Sequence, residues 1–199
     1  MRYLLTVLST GRTEYRERME ASLTFLWPEP SEVFVHEDVK REGMCAAHAH
    51  CWRHAAESEY EWVFHIEEDQ VILRPTSLYN IAGVLLDTQD LAQMALVRCP
   101  WGAEIEHGGY IPQTPSWYTR RRRGGNEWIE TTRNWATAPA LFRTGLAREF
   151  HWDTRPGCET EIGQRILAKY PHAKFGLWGG GEPHCAHIGV ERASGSHGY

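Results

Sequence analysis

Residues 64–75 read FHIEEDQVILRP, with three consecutive carboxylates, Glu67, Glu68 and Asp69, between two apolar runs. Adjacent acids repel, and burying them is costly unless something positive lies between them. The triplet is therefore either an acidic turn at a strand end or a metal site. Oxygen ligands would select a hard divalent ion, Mg²⁺ or Mn²⁺. In extended chain Glu67 and Asp69 share a side and Glu68 points away. Arg12 could meet an anion, and Glu37-Asp38 a ribose or base edge. Three clusters remain: the run Arg120–Arg123 beside Trp117, Tyr118 and Trp128; His48, His50 and His54 with Cys51; and His184, Cys185, His187 and His197.

The surrounding periodicities must position these groups. The apolar run 3–9 predicts a buried strand closed by Thr10-Gly11-Arg12. Tyr15, Met19, Leu23 and Leu26 predict a half-exposed helix over 13–26, capped at Thr13 and stopped by Pro28 and Pro30. Further strands are expected at 32–36, 61–66, 93–98 and 135–143, and helices at 43–57, 76–87 and 159–170. This alternation predicts an α/β fold with a mainly parallel sheet. Ligands bind such sheets at the carboxyl ends of the strands, where Arg12, Glu37-Asp38 and the acid triplet fall. Residues 100–133, rich in Gly, Pro, Trp and Arg, read as a long irregular excursion.

Bulk properties narrow the classes. With 199 residues the chain can bury a sizeable core as one domain, and its formal charge of −5 gives no overall attraction to nucleic acid. No apolar run approaches the length of a membrane helix, and the N-terminus lacks signal-peptide features. The five cysteines show no CxxC spacing, so they are expected to be reduced thiols in a cytoplasmic protein.

The order of these features resembles the GT-A-fold, nucleotide-sugar-dependent glycosyltransferases close to the family-2-like group. The matching segments are LLTVLSTGRTEYRERMEASL, the acid pair after the second strand, and Glu67-Glu68-Asp69 in place of the family's acid-any-acid motif. Glu67 stands where the family usually has aspartate. The resemblance covers about residues 1–90 and 135–192. It implies a GT-A-like domain with a nucleotide-sugar half at 1–90 and an acceptor and catalytic half at 91–199. The donor would be a nucleoside-diphosphate sugar, a UDP-sugar in the first instance. Thr10, Arg12 and Arg192 would contact the nucleotide diphosphate, and Asp38 or Glu37 the base. Asp69 would ligate Mn²⁺ or Mg²⁺. Glu67, with Glu68 beside it, would support the ribose or a metal-bound water, and Glu67 also counts among the metal residues. His187, with His184 as the alternative, would complete the metal shell. Glu159, six residues before Arg165, or Glu161 would be the base that deprotonates an acceptor hydroxyl, with inversion at the sugar. Trp101, Trp117, Arg120, Arg121, Arg122 and Trp135 are the expected acceptor contacts. The acceptor itself stays open among a hydroxylated DNA base, a protein and a glycan.

Two other readings compete. One is a non-catalytic nucleic-acid or polyanion-binding domain that grips through Arg120–Arg123 and stacking aromatics. The other is a His/Cys zinc protein.

Overall fold

The computed structural model describes residues 1–96, 117–133, 135, 137, 139–179 and 183–189. Its first half alternates strand and helix: β1 (Tyr3–Ser9), α1 (Thr13–Ser22), β2 (Leu26–Trp27), β3 (Glu32–Glu37), α2 (Met44–Glu57), β4 (Trp62–Glu67), β5 (Gln70–Ile72), β6 (Thr76–Ser77) and α3 (Leu78–Asp87). Then come β7 (Leu91–Leu96), the hairpin β8 (Tyr118–Arg123) and β9 (Asn126–Thr131), β10 (Ala140–Arg143) and α4 (Thr144–Glu149). The chain continues through α5 (Cys158–Lys169), β11 (Lys174–Trp178) and β12 (Cys185–His187).

Among the described residues, eight strands form one sheet in the order β3-β1-β4-β10-β7-β11-β9-β8. The parallel expectation describes β3, β1 and β4, and also the β7–β11 pair. Beyond them β10 runs against both β4 and β7, and β9 against both β11 and β8, so the sheet as a whole is mixed. The carboxyl ends of β1, β3, β4, β7 and β11 all reach one edge, and the β8–β9 turn reaches it too.

Strand alternation divides the core. Tyr3, Leu5, Val7, Phe64 and Ile66 pack on one face with Met19 of α1 and Ile81 and Leu85 of α3. Leu4, Val63, Phe142 and Phe175 pack on the other with Trp52, Trp152, Ile162 and Ile166. Burial on both faces explains why residues 3–9 read as a continuous apolar run rather than an alternating one.

Three expectations change. First, Arg12 rather than Thr13 holds the cap position of α1, without a side-chain cap. Second, Arg120–Arg123 lie in strand β8, not in an irregular excursion. Gly124 and Gly125, with φ of +56° and +82°, supply the tight hairpin turn that left-handed backbone permits. Third, Cys45 and Cys158 form a disulfide, with Cα atoms 5.8 Å apart. The five cysteines are therefore not all reduced thiols, and their spacing no longer argues for the cytoplasm. No helix among the described residues is long and apolar enough to cross a membrane.

Candidate active site

The loop after β1 folds back onto the acid triplet, and Glu68 is the staple. Its carboxylate is almost fully buried and accepts from Ser9 Oγ (2.7 Å), Thr10 Oγ1 (2.5 Å), the Arg12 backbone N–H (3.2 Å) and Arg12 Nε (2.6 Å). Gly11, at φ +82°, makes the turn that aims these donors. Burial would raise the Glu68 pKa, but the donors from Ser9, Thr10 and Arg12 outweigh it and hold the pKa below the usual carboxylate value. Residues 68 and 69 form a turn rather than extended chain; Glu68 shares the Arg12 guanidinium with Asp69, and its role is to bind β4 to the β1 loop.

Glu67 and Asp69 converge with His187, which β12 brings in by pairing antiparallel with β5, placing His187 opposite Gln70. Among the described residues, these three form the group able to share a metal ion, with ligand atoms within 4.8 Å of one another. Asp69 Oδ1 is 3.2 Å from His187 Nε2, and Asp69 Oδ2 is 2.7 Å from Arg12 Nη2. Burial alone would raise the Asp69 pKa; His187 and Arg12 lower it below the ordinary aspartate value. Three carboxylates against the Arg12 guanidinium leave two negative charges, the complement of a divalent cation, and oxygen with imidazole is a donor set that Mn²⁺ or Mg²⁺ accepts. Gly189 is required here, because a Cβ at that position would collide with the Asp69 carboxylate.

Behind Glu67 runs a buried polar chain that the sequence did not announce. Thr6 Oγ1 meets His65 Nδ1 at 2.8 Å, and His65 Nε2 meets His48 Nδ1 at 3.0 Å. His48 Nε2 then lies 3.5 Å from Glu67 Oε1. Burial, with His48 next to it, pushes the His65 pKa well below its ordinary value, so this ring is neutral. A histidine inside an apolar strand and another one turn into an alanine-rich helix were the available signals.

The start of α5 carries both candidate bases. The Cys45–Cys158 bridge ties this helix end to the start of α2, which follows the carboxyl end of β3. Glu159 is half-buried and accepts a hydrogen bond from Thr137 Oγ1. Thr137 and His48 line the same small enclosed cavity. Glu161 is instead engaged in a surface network, 2.6 Å from Arg165 and 3.5 Å from Arg155. Of the two, Glu159 is the one whose carboxylate meets no cation among the described residues.

Other expected contacts are placed as follows. Glu37 is exposed and pairs with Arg16 at 2.5 Å. Asp38 is buried, and its two oxygens accept from the backbone N–H groups of Glu42 and Gly43, ordering the loop into α2. Trp117 is part-exposed under the Arg133 guanidinium. Trp135 is a core residue, edge-on to Trp52 and Phe175, so it presents no open face to an acceptor. Arg121 pairs with Glu130 at 3.1 Å and Arg123 with Asp87 at 3.3 Å, while strand alternation turns Arg120 and Arg122 to the opposite side. Trp101, Arg192 and His197 lie outside the described residues.

Among the described residues a zinc site on α2 does not assemble. His50 stacks on His36 and His54 on Phe34, both away from His48, and burial pushes the Cys51 thiol up to about 12. His184 bonds Thr76 Oγ1 through Nδ1 at 2.9 Å rather than joining His187.

No protein-family model and no curated protein sequence matches the chain. Solved structures do match. The S. aureus TarS fragment 1–349 superposes with a TM-score of 0.61 at 10% identity, covering 96% of this chain and 61% of that one. The same fragment in complex with UDP-GlcNAc gives a TM-score of 0.57 at 13% identity, covering 89% and 56%. A197 from STIV gives 0.50 at 9% identity, covering 89% and 81%. The chain thus spans less than two thirds of the TarS fragment. The likeness is one of architecture: the chain has the GT-A-like fold of the glycosyltransferases.

Proposed function

We propose that this chain is a glycosyltransferase that moves a sugar, a hexose in the first instance, from a UDP-sugar to an acceptor hydroxyl. The observation that carries the reading is the convergence of Glu67, Asp69 and His187 at the carboxyl edge of a GT-A-like sheet. That TarS was solved with UDP and with UDP-GlcNAc supports the donor class. Residues 1–90 supply the nucleotide-sugar groups, and residues 91–199 the base and part of the acceptor side.

Glu67, Asp69 and His187 would hold Mn²⁺ or Mg²⁺, whose charge neutralises the diphosphate that leaves. Arg12, fixed by Glu68 and Asp69, adds a preorganised positive charge on the same edge. Glu159 accepts the proton of the acceptor hydroxyl as that oxygen attacks the anomeric carbon. The bond from that carbon to the diphosphate oxygen breaks, and a single displacement inverts the configuration. Its place in the first turn of α5 stabilises Glu159 as the anion, the form a base needs. Thr137 orients the carboxylate.

The test is a thermal-shift panel of nucleoside diphosphates and nucleotide sugars, each with and without Mn²⁺. A ligand at about 100 times its Kd stabilises by roughly 2.7 kcal/mol. A metal-dependent shift with one base supports the reading; no shift with any nucleotide overturns it. Glu159→Gln should keep the shift and lower kcat by about 10²- to 10⁴-fold; equal losses in Glu161→Gln and not in Glu159→Gln would reassign the base.

A further inference from the structure

A second concave surface lies on the same side of the molecule and is not used by the proposed donor chemistry. It is a groove of about 730 Å³ between the end of α1, the start of α3 and the β8–β9 turn. That volume is within the range of small-molecule sites. The groove opens on the edge where β11 ends, since Trp178 and Gly179 line it beside Asn126 and Glu127.

Its chemistry is uneven in an informative way. Phe25 and Trp27 are 42% and 61% exposed, and both line the groove. Tyr79, also exposed, packs against Trp27 with ring centroids 4.7 Å apart, and so fixes the indole in place. Beside these rings lie the amides of Asn80 and Asn126 and the carboxylate of Glu127. Large rigid rings left in water next to adaptable hydrogen-bonding groups match a ligand with an apolar face and a hydroxylated rim. A pyranose has that form: its axial C–H bonds make a face that lies on an indole, and its equatorial hydroxyls bond amides and carboxylates.

The charge of the groove argues against a polyanion. Arg74 and Glu127 offset each other, and His184, which lines the same groove, is neutral at pH 7 because burial and Arg74 lower its pKa to about 4. The lining therefore carries no net charge, unlike a phosphate-tracking channel.

Position links the groove to the metal-ligand group. His184 continues the β12 ladder, its carbonyl accepting from the Leu73 N–H at 2.9 Å. His187 lies three residues further, roughly 10 Å along extended chain. A single sugar would not bridge that span, whereas an oligosaccharide would.

We infer that the groove binds a neutral oligosaccharide stacked on Trp27 and that this saccharide is the acceptor chain. Naming it the acceptor rests on the transferase reading; saccharide binding at Trp27 does not.

The experiment titrates the full chain with maltotriose, cellotriose, mannotriose and N,N′-diacetylchitobiose. Calorimetry and saturation-transfer NMR provide the readout, with UDP plus Mn²⁺ run in parallel. At least one saccharide is expected to bind, with ring protons saturated from aromatic side chains. Trp27→Ala should weaken that binding about tenfold or more, and Trp27→Phe should restore part of it. Because Trp27 is mostly exposed, the melting temperature and the UDP response of both variants should stay at wild-type values.

Absence of saccharide binding alongside an intact UDP response overturns the groove inference and leaves the transferase reading standing. Saccharide binding that depends on Trp27, without any nucleotide response, supports the groove as a saccharide site and removes the transferase reading. Saccharide binding indifferent to Trp27→Ala overturns the inference. So does a Trp27-dependent preference for a phosphorylated oligosaccharide or oligothymidylate, or a self-association in sedimentation that Trp27→Ala abolishes.

Discussion

Two runs of like charge dominate the sequence, and the fold treats them in opposite ways. Glu67-Glu68-Asp69 sits where a strand ends and the chain turns, so successive side chains splay into different partners. Glu68 goes into the β1 loop, Glu67 goes toward His187, and Asp69 meets both His187 and Arg12 of that loop. Arg120–Arg123 sits inside a strand at the margin of the sheet. There alternation sends the charges to two faces, and a charged edge strand discourages pairing with another chain. A charge run thus gathers into one cluster where the backbone turns beneath it, and divides between two faces where the backbone is straight.

The comparison can be broken most sharply at Asp69. Asp69→Ala should abolish the metal-dependent thermal response to nucleotide, while Arg120→Ala leaves it unchanged. An intact response in Asp69→Ala would remove the acid run from function.

Glu68→Ala tests the buried staple. Removing one partner of a buried charged pair costs about 3–5 kcal/mol, because Arg12, Ser9 and Thr10 lose a shared acceptor. Chemical denaturation should show that loss, and a change under about 1 kcal/mol would mean that the β1 loop is held by other contacts.

Acid should also distinguish the two runs. Arginine keeps its charge throughout. Folded His184 and His65 have lowered pKa values, so they favour the folded state above the unfolded histidine value near 6.5, and this contribution is lost as pH falls. For His184 this loss runs from the unfolded value down to about pH 4. Glu68 and Asp69 are lowered as well, so their share persists above the unfolded carboxylate value and disappears below it as the pH passes through their folded values. Melting temperature should therefore decline from pH 7 to 4 and fall further under stronger acid. A profile flat between pH 6.5 and 4 would contradict the buried neutral histidines.

The smallest effect is expected at Arg120 and Arg122. Each alanine variant should change stability by less than about 0.5 kcal/mol, as exposed strand positions do. A larger loss measured by denaturation would give this strand a structural role.

What could be read from the sequence was what local chemistry determines. The run at 3–9, the helical spacing in 159–170 and the strand leading into the acids are settled by neighbours a few residues away. The Arg120–Arg123 strand was obscured because charge masks strand propensity, although Gly124-Gly125 between two six-residue segments carries a hairpin signal. The burial of Trp135, the His65–His48 pair and the Cys45–Cys158 bridge depend on residues far apart in the chain. Gly189 beside Asp69 is of the same kind, since only the fold brings that backbone against the carboxylate.

The bridge has a topological consequence. It closes a covalent ring across 113 residues of sequence and leaves two tails. In the chain-entropy picture a ring of this size restricts the unfolded state by about 5 kcal/mol. The ring carries β4, β7, β8, β9 and β10; the N-terminal tail brings β3 and β1 onto β4, and the C-terminal tail threads β11 between β7 and β9. Arg12 comes from the first tail, Glu67 and Asp69 from the ring, and His187 from the second tail. The carboxylate cluster is thus the meeting point of all three pieces, and it is complete only once both tails have docked.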